Sequence, residues 1–244
     1  MYRRVVRCLL SIVMLTSLAV AGNVAMAGTA RADGCYTWGR SLSQGATGED
    51  VRQLQIRVSG YPAYGAVLAL DGSYGPATAA AVTRFQQAYG LSADGVAGQQ
   101  TFNKIYELQD NDCTPVHFTY AELNRCNSTW SGGAVSAAQA RANALVNMWK
   151  LEALRHALGD RPINTSSGFR SSSCNSAAGG SATSRHLYGD AIDLTGSPTF
   201  CQIVQRARYH GFNEILGPGY PDHNDHAHLA NRSTRFWSAP SCGI

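Results

Sequence analysis

Lysine, and charge in general, are scarce in this 244-residue chain. Only 15% of its residues are charged, and its only lysines are Lys104 and Lys150. Residues 1–32 carry four of the 20 basic residues and no acidic one, so the rest of the chain has 16 residues of each sign. A neutral body lacks the positive charge that attracts nucleic acids or anionic membranes, which excludes both as partners.

The signatures of a serine acyl-transfer enzyme are also missing. The motif S-x-x-K is absent, because Thr101 and Asn147 stand three residues before the lysines, and G-x-S-x-G is absent as well. There is no C-x-x-C pair of the kind found in structural zinc knuckles. Neither acyl-enzyme chemistry nor a cysteine-bound zinc is therefore expected.

Long apolar runs are confined to the N-terminus. Three arginines precede an apolar run over residues 8–21, which is too short to span a membrane comfortably. Small-x-small cleavage signals end at Ala27 and Ala32. The pattern predicts a secretory signal peptide over residues 1–32 and a secreted, extracellular protein, with an uncleaved membrane anchor as the alternative.

Six cysteines follow the leader. An even number in an exported chain predicts three disulfides, although six cysteines allow 15 pairings. Cys35 and Cys113 bracket one compositional unit, so the residues favour pairing these two. The six positions are Cys35, Cys113, Cys126, Cys174, Cys201 and Cys242.

Residues 44–108 contain a short internal repeat. The motif D-G-x-x-G-x-x-T begins at Asp71 and again, 23 residues later, at Asp94. Asp-Gly favours a tight turn, and the closing threonines, Thr78 and Thr101, are expected to cap the helices that follow. The pattern predicts a small bundle of three helices joined by glycine-rich turns.

From about residue 113 the pattern changes to helices beside short strands. A helix is predicted from Ser136 to Leu158, because Ser136 and Gln139 fit a capping box and Gly159 ends the apolar periodicity. The other segments predict a loop at 171–185, a helix at 200–210 and strands at 191–194, 212–216 and 227–230. Together they predict an α+β fold: the three-helix bundle, then a domain with a small antiparallel sheet.

Histidines are concentrated in two segments of the second half. The first is S-R-H-L-Y-G-D-A-I-D, from Ser184 to Asp193, and the second is H-N-D-H-A-H, from His223 to His228. Two histidines and one carboxylate with a fourth position open form a catalytic zinc arrangement. Gly189 allows a tight reversal that brings both ends of the first segment to one atom. The pattern predicts a zinc site, with a surface histidine ladder as the alternative.

The first half of the chain resembles the peptidoglycan-binding domain of secreted bacterial wall hydrolases. Residues 45–55 read G-x-x-G-x-D-V-x-x-L-Q, and Phe85-Gln86, Gly90-Leu91 and both Asp-Gly turns complete the match. The resemblance implies that this half binds wall polymer.

The second half resembles the zinc D-Ala-D-Ala peptidases, a family that includes actinomycete carboxypeptidases. Residues 184–193 match S-x-H-x-x-G-x-A-x-D without a gap, and residues 225–228 match the D-x-x-H ending. The resemblance implies one Zn²⁺ per chain, bound by His186, Asp193 and His228. It also implies three disulfides, which are Cys35–Cys113, Cys126–Cys174 and Cys201–Cys242.

The same resemblance implies the catalytic residues. Asp225 is the first choice for the general base, with His226 and His223 as further candidates for proton transfer. Strand alternation instead favours His226 on the face of the ligand His228. Arg170, in the segment G-F-R-S, is implied to stabilise the oxyanion or to bind a substrate carboxylate.

The expected protein is a secreted, monomeric zinc carboxypeptidase that removes the terminal D-Ala from peptidoglycan stem peptides. An endopeptidase that cleaves cross-links and a non-catalytic wall-binding protein with a structural metal remain alternatives. The expected organisation is a signal peptide at 1–32, a peptidoglycan-binding domain at 33–112 and a catalytic domain at 113–244.

Overall fold

A computed structural model describes residues 35–126 and 128–244, which lie in one compact unit. The predicted signal peptide lies outside the described residues. Across the described part of the chain, no helix combines the length and apolar character that crossing a membrane requires.

The first part of the chain folds into three helices, as the sequence predicts. Their apolar faces share one core, in which Val51, Leu54, Phe85, Phe102 and Ile105 are buried. The helices are α1 (Glu49–Arg57), α2 (Pro76–Ala88) and α3 (Gln99–Glu107).

The repeated motif closes around a buried glutamine from the preceding helix. The Gln55 amide lies 2.9 Å from Asp71 Oδ1, 3.1 Å from Ser73 O and 3.1 Å from Thr78 Oγ1. Its oxygen accepts the backbone N–H of Gly72 at 2.9 Å. One side chain therefore satisfies the polar atoms of an entire turn that would otherwise be buried without partners.

The second copy of the motif repeats this arrangement. The Gln86 amide lies 3.0 Å from Asp94 Oδ1, 3.0 Å from Val96 O and 3.1 Å from Thr101 Oγ1, and its oxygen accepts the N–H of Gly95 at 2.9 Å. The expected capping role of the two threonines is therefore wrong. Both threonines lie inside their helices, whose N-caps are glycines. Their hydroxyls instead accept hydrogen bonds from the glutamine amides.

Replacing Gln86 with alanine should destabilise the fold by about 2–4 kcal/mol, because a buried set of partners loses its hydrogen bonds. Denaturant unfolding of Gln86→Ala measures this loss. Gln100→Ala, on the exposed face of α3, is the matched control and should change stability by less than about 0.5 kcal/mol. Equal stability of the two variants would contradict a structural role for the buried amide.

The second part of the chain packs helices against a five-stranded sheet. Its helices are α4 (Tyr120–Leu123), α5 (Ala137–Ala157), α6 (Ser172–Ala177) and α7 (Phe200–Ala207), with 3₁₀ turns at Arg185–Tyr188 and Pro240–Cys242. Its strands are β1 (Asn164–Ser167), β2 (Ala191–Thr195), β3 (Glu214–Leu216), β4 (Ala227–Ala230) and β5 (Phe236–Ser238).

The strand order is β1-β2-β4-β3-β5, and the α+β prediction is confirmed. The sheet is antiparallel as predicted except at one edge, where β3 and β5 pair in parallel. The predicted loop at 171–185 contains α6, and the sequence did not predict α4, β1 or β5. These are short elements, whose local sequence signals are weak compared with their tertiary contacts.

Three disulfides join the pairs that the resemblance implies. Cys35–Cys113 closes the first part of the chain, Cys126–Cys174 ties α6 to the segment after α4, and Cys201–Cys242 ties α7 to the C-terminus. All three predicted pairs are therefore confirmed.

Helix α5 contributes to both hydrophobic cores. Met148 and Leu151 lie in the core of the sheet, whereas Trp149 and Ala153 lie in the core of the three-helix bundle. The Trp149 indole donates to the Cys113 carbonyl at 3.1 Å. The backbone at Gly60 packs so closely on α5 that an added Cβ would lie 2.5 Å from the Ala153 side chain. The two halves are therefore packed together through α5.

His210 links the same two halves and gives their packing a pH dependence. Its Nδ1 donates to the Gly60 carbonyl at 2.8 Å, and burial lowers the pKa of its imidazole to about 4. The unfolded chain binds the proton near the ordinary pKa of about 6.5. The stabilisation of the folded state by the neutral His210 ring is therefore fully present above about pH 6.5. It is lost as the pH falls towards about 4.

Protonation of His210 is expected to lower the free energy of unfolding by about 3 kcal/mol between about pH 6.5 and about pH 4. Urea unfolding of wild type and His210→Asn at pH 7 and pH 4.5 isolates it. The difference in stability between the two proteins should shrink at the lower pH. A difference that does not change with pH would show that His210 is protonated equally in both states.

Candidate metal centre

The sheet brings two of the predicted metal ligands together. Strands β2 and β4 pair antiparallel with Asp193 directly opposite His228. His186 comes from the 3₁₀ turn that precedes β2, and Gly189 ends that turn with a φ of 68°. A Cβ at Gly189 would lie 2.3 Å from a carbonyl oxygen of α5. Only glycine therefore allows this reversal, as the sequence predicted.

Three buried side chains present their donor atoms to one point. His186 Nε2 lies 3.2 Å and His228 Nδ1 lies 2.9 Å from Asp193 Oδ1. All three side chains are buried, and their donor atoms lie within 4.8 Å of one another. Two imidazole nitrogens and a carboxylate oxygen at this spacing form a donor set that suits zinc.

The outer nitrogens of both histidines also have partners. His186 Nδ1 lies 2.6 Å from the Gly168 carbonyl, and His228 Nε2 lies 3.1 Å from Glu214 Oε1. Arg232 in turn donates to the other Glu214 oxygen at 2.6 Å. Such contacts set which nitrogen of each ring faces the centre. Sequence reasoning missed Glu214, for which the available signal was a single charged residue within an apolar strand segment.

The electrostatics of this centre favour a positive charge. Burial lowers the pKa of His228, but Asp193 and Glu214 outweigh it and raise that pKa to about 9. Burial raises the pKa of Asp193, but His186 and His228 outweigh it and hold it well below its ordinary value. The negative charge of the buried Asp193 carboxylate is stabilised by nearby cations, and its Oδ1 faces both histidines, so the three residues fit a bound zinc ion.

The predicted proton-transfer residues occupy different positions. His226 Nε2 lies 3.7 Å from Asp193 Oδ1, and the His223 ring lies 4.7 Å from that of His226. Both histidines line the cavity above the centre, whereas Asp225 does not line it and its side chain is 90% exposed. Asp225 Oδ1 instead lies 2.8 Å from His226 Nδ1. The first-choice base therefore contacts the centre only through His226.

Arg170 also lies beside the centre, but its guanidinium already has partners. Its Nη2 donates to Asp193 Oδ2 at 2.5 Å and its Nε donates to Ser167 Oγ at 2.9 Å. Arg170 therefore holds the Asp193 oxygen that faces away from the histidines.

A cavity of about 860 Å³ opens over these residues. Arg185 and Arg232 line its walls, paired with Asp190 and Glu214 respectively, and Tyr188 and Tyr220 supply aromatic surface. The volume lies in the range that accommodates small ligands and short peptides. A buried donor set at the base of such a cavity, with further histidines beside it, is characteristic of a hydrolytic zinc peptidase.

Comparisons with known proteins agree with this class. The Peptidase M15 family model matches residues 116–230, and a model of peptidoglycan binding domains matches residues 47–105. The chain is 70% identical over 213 residues to a zinc D-Ala-D-Ala carboxypeptidase of Streptomyces albus G, covering 87% of this chain and 84% of that protein. The chain belongs to the Peptidase M15 family, and the predicted zinc cofactor is confirmed.

Other relatives match over shorter stretches. A spore cortex-lytic enzyme of Oceanobacillus iheyensis is 34% identical over 93 residues, which is 38% of this chain and 32% of that protein. An N-acetylmuramoyl-L-alanine amidase of Bacillus licheniformis is 48% identical over 65 residues, which is 25% of this chain and 18% of that protein. Enzymes with different names therefore contain a segment that is similar in sequence to part of this chain.

Proposed function

We propose that this protein is a secreted zinc carboxypeptidase that hydrolyses the terminal D-Ala-D-Ala bond of peptidoglycan stem peptides. The observation that carries the proposal is the buried group of His186, Asp193 and His228 at the base of an open cavity. A metal site with a purely structural role would have four protein ligands and would not need the further histidines beside it.

We assign the zinc ligands to His186 Nε2, Asp193 Oδ1 and His228 Nδ1. The burial of all three side chains supports this set, as does the way their outer atoms are hydrogen-bonded. When bound, zinc supplies a Lewis acid that polarises the scissile carbonyl and acidifies a water molecule. Arg170 keeps the Asp193 carboxylate in place through its second oxygen.

His226 and Asp225 form the proposed acid–base pair. His226 is the group nearer to the centre, and Asp225 accepts a hydrogen bond from its Nδ1, which orients the ring. Nε2 of His226 can then move a proton between the attacking water and the leaving amine. The His223 ring lies 4.7 Å from the His226 ring, so it limits how that ring can turn.

The remaining parts of the proposal concern location and organisation. Three disulfides are typical of an exported protein, which supports secretion and a cleaved leader over residues 1–32. We propose that residues 33–112 bind the wall polymer and that residues 113–244 carry the reaction. Helix α5 packs into both cores, so we expect the two segments to fold together.

The products from a muropeptide that ends in D-Ala-D-Ala test the proposal. The mature protein should release one alanine, lose this activity with a chelator and regain it with zinc. His186→Ala should lose both metal and activity, whereas His117→Ala, outside the cavity, should keep both. Mass spectrometry identifies the products. Cleavage of cross-links without alanine release would replace this proposal with an endopeptidase, and full activity in chelator would refute the zinc mechanism.

Glu214→Gln should weaken zinc binding by about 10–100-fold, because His228 loses the carboxylate that orients it. Competition with a chromophoric chelator measures the affinity directly, without reference to activity. Glu107→Gln, which removes an exposed carboxylate on α3, serves as the matched control. Unchanged zinc affinity in Glu214→Gln would contradict the assignment of His228 as a ligand through Nδ1.

Substitutions in the acid–base pair should not have additive effects. Asp225→Asn and His226→Ala should each lower kcat by about 10²–10⁴-fold while the zinc is retained. The double variant should be no slower than the worse single variant, because the two residues act as a unit. Glu107→Gln, outside the cavity, is the control and should keep near wild-type activity. If the two losses multiply in the double variant, the residues act independently.

A further inference from the structure

A second cavity, of about 640 Å³, lies where the three-helix bundle meets the sheet domain. Its walls come from the segment after α1, from α2 and α5, and from the C-terminal end of α7. None of its lining residues also lines the cavity over the metal centre. The volume suits a small ligand or one segment of a larger one, and the proposed reaction does not use it.

Two half-exposed tyrosines, one from each half of the chain, line this cavity. Tyr64 follows α1 and is 52% exposed, and Tyr209 follows α7 and is 44% exposed. Their ring centroids lie 4.9 Å apart at an angle of 57°. Adjacent, half-exposed aromatic rings in a cavity indicate a contact surface for a ligand with an apolar face and polar edges.

Two arginines without carboxylate partners line the same cavity. No Asp or Glu is among the lining residues, and no ion pair within the described residues involves Arg84 or Arg206. Arg84 Nη1 donates to the Tyr61 carbonyl at 3.4 Å, and Arg206 lies over the Tyr209 ring at 5.6 Å. The arginines of the metal cavity, in contrast, each pair with a carboxylate. The second cavity therefore carries a positive charge that a ligand can neutralise.

The walls of this cavity are held in place before any ligand binds. Gly60 packs directly on α5, and His210 Nδ1 donates to the Gly60 carbonyl across the junction. A site with fixed walls loses less entropy on binding than a site that must close.

We propose that this junction cavity binds a carboxylate-bearing sugar–peptide segment of peptidoglycan. A sugar ring has an apolar face and hydroxyl edges, which match Tyr64 and Tyr209, and a carboxylate of the attached peptide pairs with Arg84 and Arg206. The choice of polymer rests on the proposed function. The bound segment contacts both halves of the chain, so it holds the wall polymer in a fixed position relative to the cavity over the metal centre.

A disaccharide–tripeptide fragment is the probe, because it lacks the D-Ala-D-Ala bond and cannot be hydrolysed at the metal centre. Isothermal calorimetry with the full mature chain should show binding to wild type. Arg84→Ala/Arg206→Ala should bind at least 10-fold more weakly. The control, Arg52→Ala/Arg161→Ala, removes the same charge from one exposed arginine in each half and should bind like wild type.

Hydrolysis of a soluble pentapeptide by the same variants separates this inference from the proposed function. We expect unchanged hydrolysis in Arg84→Ala/Arg206→Ala. If wild type binds the fragment but does not hydrolyse the pentapeptide, the proposed function is refuted and the inference about this cavity is not. Because Arg84 is partly buried, Arg206→Glu, at an exposed position, repeats the test with little risk to folding and should also bind at least 10-fold more weakly.

Three results would overturn the inference. The first is wild-type hydrolysis without any fragment binding. The second is equal binding by wild type and the folded arginine variants. The third is binding of a glycerol phosphate oligomer but not of the fragment, which would show that the cavity takes a phosphate polymer of the wall instead.

Discussion

The buried carboxylate of Asp193 is the constraint on which the site depends. A carboxylate removed from water is stable only when cations or hydrogen-bond donors surround it. His186 and His228 face one oxygen and Arg170 binds the other, so the carboxylate has partners on both oxygens. The antiparallel register of β2 and β4 and the left-handed conformation of Gly189 bring these partners to it. The local backbone geometry therefore determines which donor atoms the site can offer to a metal ion.

Helix α5 is the second constraint, because it belongs to both hydrophobic cores. One side packs on the sheet that carries Asp193 and His228, while Trp149 and Ala153 pack into the three-helix bundle. This arrangement gives the bundle a fixed orientation relative to the metal centre. In the proposed function, a bundle that is fixed in this way positions a polymer strand for reaction, which a module on a loose linker could not do.

Helix and strand assignments based on strong local patterns were correct, and those without such patterns were missed. Amphipathic periodicity marked α1, α2 and α5, and the apolar segments around Asp193 and His228 marked their strands. The threonines of the repeat looked like caps because helix-capping statistics consider only neighbouring residues. Their hydroxyls contact Gln55 and Gln86, which come from the preceding helix in each case. A side chain that approaches from another element leaves no local signal.

The sequence by itself determined the family, the zinc chemistry and the three residues that present their donor atoms to one point. Those residues lie in motifs whose spacing is set by a single tight turn and by strand alternation. Only the tertiary structure decided that Glu214 supports His228 and that Asp225 points to solvent and contacts the centre through His226. It also decided that two arginines with no carboxylate partner among the described residues share a cavity with two tyrosines. These contacts join residues that are distant in sequence, or they depend on the direction in which a side chain points. Strand register and helix packing therefore decide them.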